Sequence, residues 1–176
     1  MRKIISIITI IIVLISTLAC SAAYSKNEIS GDTLLSTYGE EEALALYHEK
    51  ESVILPDFES CTLYSYNTSG FFQSEADTLI FRFDEGFEKA KEVIGNSYEF
   101  HSAPLKTGDD KPYFEVNGFS FRVRVIEKVY PKVIYFIGIN DHTKEIAFVY
   151  FGNTNLDIVS DYEVLMNAEC GWQYIE

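Results

Sequence analysis

Between residues 113 and 151 the apolar positions fall into four runs that predict consecutive antiparallel strands. Asn117-Gly118 separates the first two runs. This pair suits a two-residue type I′ turn, because both central positions need φ > 0 and these residues tolerate it. The turn sets a register in which Val116 faces Phe119, Glu115 faces Ser120, Phe114 faces Phe121 and Tyr113 faces Arg122. Side chains alternate along a strand. Phe114, Val116, Phe119, Phe121, Val123 and Val125 are therefore expected on one face, with Glu115, Ser120, Arg122 and Arg124 on the other. A slip of one residue would invert all of these positions. The second pair has a different pattern. Residues 133–139 and 146–151 are nearly continuous apolar runs, joined through Asn140-Asp141-His142-Thr143. Such runs suit strands covered on both faces. The pair belongs near the middle of the sheet, which then needs cover on both sides. Pro131 fits the connection ahead of it better than a strand interior.

Upstream, residues 61–66 and 78–83 predict a hairpin around a loop at 67–76. Thr37 and Glu40 have capping-box spacing and open a helix at 38–50. Glu40, Glu41 and Glu42 lie at its positive end, His48 and Lys50 at its negative end. Asp84 is placed to cap a helix at 84–95, closed by Gly95 and Asn96, with Phe87, Ala90, Val93 and Ile94 on its buried side. Glu85 and Lys89 form an i,i+4 pair on its wet side. Ser160 and Glu163 repeat the capping-box spacing and open a helix at 160–169 that stops near Gly171, leaving Trp172 and Ile175 to pin the tail. Residues 102–111 form a loop, and there are no internal repeats. The expected fold class is α+β, a single domain over 37–176 built on an antiparallel sheet. A polar tether at 24–36 precedes it.

Composition supports a packed, sheet-rich domain: 47% of the 176 residues are apolar and 15% aromatic, with most Tyr and Phe in strand-like runs. The N-terminus is of another kind. Arg2 and Lys3 precede an apolar or hydroxyl-bearing run at 4–15, and small residues follow at Ala19, Ser21, Ala22 and Ala23, the build of an export signal. Thr17-Leu18-Ala19-Cys20 resembles the lipobox of bacterial lipoprotein signal peptides. Ala19 matches the family's small residue and Cys20 its lipidated cysteine, while Thr17 stands where leucine is usual and Leu18 comes one place later. The resemblance covers residues 1–23 alone. It implies export and a lipid anchor on the outer side of the bacterial cell membrane. Two other outcomes stay open for such a segment. Cleavage after Ala23 would secrete a soluble chain, and retention would leave an anchor, since 4–23 is about 20 residues and just spans a bilayer.

Export changes how the remaining cysteines read. With Cys20 set aside, Cys61 and Cys170 are an even pair in a compartment that permits disulfides. A bridge would close a loop on the order of 100 residues and contribute about 4–5 kcal/mol in the chain-entropy model. Two buried free thiols are the alternative.

The formal charge is −13, and removing Arg2 and Lys3 with the leader deepens it to −15. So acidic a domain repels nucleic acid and anionic lipid, while a basic partner or plain solubility fits it. His48, His101 and His142 have no histidine or cysteine at metal-ligand spacing. Asp141-His142 reads as a solvated turn before a catalytic pair, and Asp109-Asp110 lacks the rest of a calcium ladder. No phosphate loop, nucleophile elbow or cofactor motif appears. The one candidate binding feature is aromatic. Tyr64, Tyr66, Phe71 and Phe72 flank Asn67-Thr68-Ser69-Gly70, and Tyr with Ser, Gly and Asn is the mixture adaptable binding surfaces use. In the blander alternative Phe71 and Phe72 close the core while the tyrosines decorate an outer strand face. The expectation is an exported lipoprotein with a non-catalytic domain that binds a protein or peptide, a basic partner fitting its charge. An extracellular hydrolase with a non-local active site and a structural envelope module are the competing classes.

Overall fold

The computed structural model describes residues 21–29, 55–69, 74–100, 113–127, 132–153 and 165–175. Seven strands form one antiparallel sheet: β1 (Ser21–Ile29), β2 (Ser60–Ser69), β3 (Ser74–Arg82), β4 (Phe114–Val116), β5 (Phe119–Glu127), β6 (Lys132–Asn140) and β7 (Glu145–Asn153). Their order is β1-β2-β3-β7-β6-β5-β4. The long step from β3 to β4 carries helix α1 (Phe87–Ser97), and a π-helical turn (Leu165–Glu169) and a 3₁₀ turn (Trp172–Tyr174) close the chain. Among the described residues the fold is therefore mainly β. The helix expected at 38–50 and residues 160–164 of the helix expected at 160–169 lie outside the described residues; the rest of the latter, 165–169, is the π-helical turn.

The β4–β5 turn follows the register set by Asn117-Gly118, both in left-handed conformation with φ of 48° and 81°. Val116 pairs with Phe119, Glu115 with Ser120 and Phe114 with Phe121. The ladder stops before Tyr113, so the expected pairing with Arg122 is not made. Phe114, Val116, Phe119, Phe121 and Val123 share one buried face. The ladder changes register after Val123. An irregularity between Val123 and Val125 lets Val125 pair with Tyr135 directly after Val123 pairs with Phe136, which breaks the alternation.

β7 occupies the centre of the sheet and is buried on both sides, as its unbroken apolar run requires. Ile146, Phe148 and Tyr150 face α1, which packs Phe87, Ala90 and Ile94 against them. Ala147, Val149 and Phe151 face the tail, whose Leu165, Met166, Cys170 and Trp172 close the second core. One close fit ties this second core together. A Cβ on Gly138 would lie 2.3 Å from Cε1 of Phe121, its cross-strand partner, so the missing side chain makes room for the ring.

Four expectations need correction. The tether expected from Tyr24 is a strand: β1 pairs with β2 along its whole length. An edge strand needs backbone partners on one side only, so a polar run whose side chains at 22–28 are all exposed can still join the sheet. The hairpin loop is shorter than 67–76, because β2 continues through Ser69 and β3 begins at Ser74. Helix α1 starts at Phe87 with Gly86 at its N-cap, no side chain caps it, and it runs through Gly95 and Asn96 to Ser97. Glu85 thus precedes the helix, and its pairing with Lys89 gives way to an i,i+3 pair between Glu88 and Lys91. Finally, Cys61 and Cys170 are buried and not joined by a disulfide. They are buried in different cores, on opposite faces of the sheet, so the bridge the sequence suggests is not made.

Candidate functional site

The tail covers only part of its face. Beyond Trp172 the described residues leave the sheet open, and six strands and two turns frame a cleft of about 340 Å³. The ladder places its polar groups. Lys26 and Glu28 on β1 stand beside Tyr64 and Thr62 on β2. Ser60 then pairs with Arg82, Arg82 with Glu145 and Glu145 with Asn140, so one row crosses four strands. Period-two alternation puts all of these residues on the same side as the tail. Phe119, Ile80, Trp172 and Ile175 supply the apolar wall.

Local chemistry fixes parts of this frame. The buried Asn140 accepts backbone N–H bonds at Oδ1 from His142 (3.0 Å) and Thr143 (3.1 Å), which folds the β6–β7 turn back on its own side chain. Thr143 Oγ1 donates to Glu145 Oε2 at 2.7 Å and holds that carboxylate at the rim. Trp172 stands edge-on to Phe121 and Phe119, with ring centroids 4.9 and 5.4 Å away. Gly171 places it there in a left-handed conformation (φ 68°) with no room for a side chain, since a Cβ would lie 2.6 Å from Cγ of Tyr66. Lys26 Nζ lies 5.4 Å from the centre of the Tyr64 ring. Arg82 Nε reaches Glu59 Oε2 at 3.7 Å, an exposed pair that contributes little to stability.

The expected aromatic candidates are only partly in place. Tyr64 and Tyr66 are buried. Tyr66 stacks with Tyr174 at 5.9 Å, and Tyr24 lies 6.2 Å from Tyr64 and 5.4 Å from Tyr174. Tyr24 donates its hydroxyl hydrogen to the Tyr174 carbonyl at 2.9 Å, so these rings fasten β1 to the tail. The tyrosines that meet solvent there are Tyr24 and Tyr174. Phe71, Phe72, Cys20, His48, His101, Asp109 and Asp110 lie outside the described residues. Asp141 and His142 are not joined to each other: Asp141 takes the ammonium of Lys91 at 2.7 Å. Among the described residues no group of three His, Cys, Asp or Glu side chains is arranged to hold a metal ion, and no helix is long and apolar enough to cross a membrane.

Sequence reasoning did not mark Lys26, Glu28, Arg82, Asn140, Glu145 or the cleft side of Trp172. They come from distant parts of the chain and only the strand order brings them together, so no local spacing announces them. No family model matches the chain, and neither a curated protein nor a solved structure with significant similarity to it was found.

Proposed function

We propose that the protein is an exported envelope lipoprotein, anchored through Cys20, whose sheet domain binds a peptide segment outside the membrane without catalysis. The domain is taken as α+β, with further helices at 38–50 and 160–169 beside the sheet. The observation that carries the binding reading is the cleft. Two cations (Lys26 and Arg82), two carboxylates (Glu28 and Glu145), hydroxyls and two amides line the cleft beside an apolar wall. A peptide offers that mixture: unlike charges, backbone donors and acceptors, and side chains for the wall. The acidic balance of the chain favours basic residues in the partner, because opposite charge speeds encounter.

Distance weighs against one form of the hydrolase alternative, a paired-carboxylate site in this cleft. Paired-carboxylate chemistry places its two groups about 5–10 Å apart. Glu28 and Glu145 are carried by strands three places apart in the sheet, about 14 Å across the strands at the usual spacing.

Two measurements test the proposal. Cys20→Ala should leave the chain unlipidated and shift it from the membrane to the soluble fraction; processing and membrane attachment like the parent's would remove the lipoprotein reading. For binding, the full-length chain in neutral detergent is applied to an array of mixed-charge heptapeptides. Peptides retained by the parent should be lost by Glu28→Gln with Glu145→Gln, with a strong dependence on salt. Retention that survives both substitutions would show that the cleft is not the binding site.

A further inference from the structure

A second cavity lies on the other face of the sheet, between α1 and the β5–β6 pair, with a volume of about 370 Å³. It shares no lining residue with the cleft. Its floor is apolar, with Ile94 and Ile137 buried and Ile139 partly so. Its rim is basic: Lys91 and Arg122 line it, with Ser120 two positions from Arg122 on the same strand and Asp141 as the lining carboxylate.

The two cations differ in what answers them. Lys91 Nζ lies 2.7 Å from Asp141 Oδ1 and 3.1 Å from Glu88 Oε2, so its charge is met by two acids. Arg122 makes no ion pair or hydrogen bond among the described residues. Its Cζ lies 5.3 Å from the centre of the Phe100 ring. Such stacking orients the guanidinium plane and leaves its N–H edges for a planar acceptor. Placing an unanswered arginine beside an apolar hollow suits an anion with an apolar body. A cation would meet Arg122 with like charge. A multiply charged phosphate would meet Asp141 beside Lys91.

Gly95 adds an independent observation. Glycine inside a helix costs about 1 kcal/mol relative to alanine. Gly95 lies within α1 and lines the cavity, yet a Cβ built there meets nothing within 4 Å. Packing does not require the glycine. Gly95 is exposed and is part of the cavity wall, so a larger side chain there would start at the cavity's edge.

We propose that this cavity binds a small organic carboxylate with an apolar body. The carboxylate pairs with the Arg122 fork, Ser120 supplies a hydroxyl donor, and the body lies on Ile94, Ile137 and Ile139.

Calorimetric titration of the full-length chain in neutral detergent tests this, with 3-phenylpropionate and its uncharged amide as probes. The acid should bind saturably at one site, and the amide about tenfold or more weakly. Arg122→Gln, at an exposed position, should lower affinity for the acid about tenfold or more with unchanged circular dichroism. Arg122→Lys should retain part of the affinity. Gly95→Leu should block binding while keeping or raising thermal stability. Arg82→Met, in the cleft on the other face, should bind the acid like the parent. Equal binding of acid and amide, full affinity in Arg122→Gln, or no saturable binding up to about 10 mM would overturn the proposal.

Discussion

The two faces of the sheet are closed in different ways. On the helix face one regular element lays Phe87, Ala90 and Ile94 over the centre, and rings from several segments interlock beneath it: Phe58 against Phe81, Phe81 against Phe148 and Tyr98 against Phe148, all edge to face. On the tail face, among the described residues, two short turns do the covering, and one indole meets both Phe119 and Phe121. A helix distributes its cover over several turns, so losing one side chain leaves its neighbours in place. A tail held by single residues concentrates the cover and, among the described residues, leaves the surrounding sheet open. The same economy that makes the tail face vulnerable produces its cleft.

Truncating the central side chain of each cover should expose the difference most strongly. Trp172→Ala is expected to cost about 3–5 kcal/mol, and Ile94→Ala about 2–5 kcal/mol with the smaller value of the two, both read from urea unfolding. A larger loss at Ile94 would reverse the comparison. Gly138→Ala comes next, at about 1–3 kcal/mol, because the new methyl must displace the Phe121 ring. Pairing it with Phe121→Leu should recover most of that loss, and an unchanged double variant would show the strain to lie elsewhere. Gly118→Ala forces an L side chain into φ of 81° and should cost about 1–2 kcal/mol.

Alkali should act on the helix face. Burial pushes the Cys61 thiol up from 9.0 to about 12. The carboxylates of Asp141 and then Glu88 hold Lys91 above the ordinary lysine range. Both groups keep a proton in the folded chain that the unfolded chain releases first. Their contribution is complete below the unfolded values and is lost as pH rises, from about 9 for the thiol. Cys61→Ala should flatten that decline in unfolding measured from pH 8 to 11; an unaltered slope would assign it to other groups. Lys91→Met should have the smallest effect at neutral pH, about 0.2–1 kcal/mol, since Asp141 and Glu88 are well exposed.

What could be read in advance was what depends on near neighbours. Asn117-Gly118 dictates its own turn and so the first register. Ile146 to Phe151 dictates burial on both sides because no polar residue interrupts it. The β1 strand was hidden because edge pairing is a backbone matter and leaves no alternation in Ser21–Ile29. The start of α1 was misplaced because Asp84 has the right chemistry for a cap while its backbone carbonyl accepts from Lys144 Nζ across the β6–β7 turn. The cleft depends on strand order, in which β7 inserts between β3 and β6, and no pattern within one segment encodes that insertion.

The position of β1 makes the two possible leader cuts unequal. A cut after Ala23 removes Ser21, Ala22 and Ala23, and with them the pairings to Ser69, Thr68 and Asn67. If the proposed lipoprotein reading holds, a cut ahead of Cys20 keeps the whole strand and puts the acylated residue directly before Ser21. The mature domain would then have almost no leash, and the corner formed by the start of β1 and the end of β2 would ride against the bilayer.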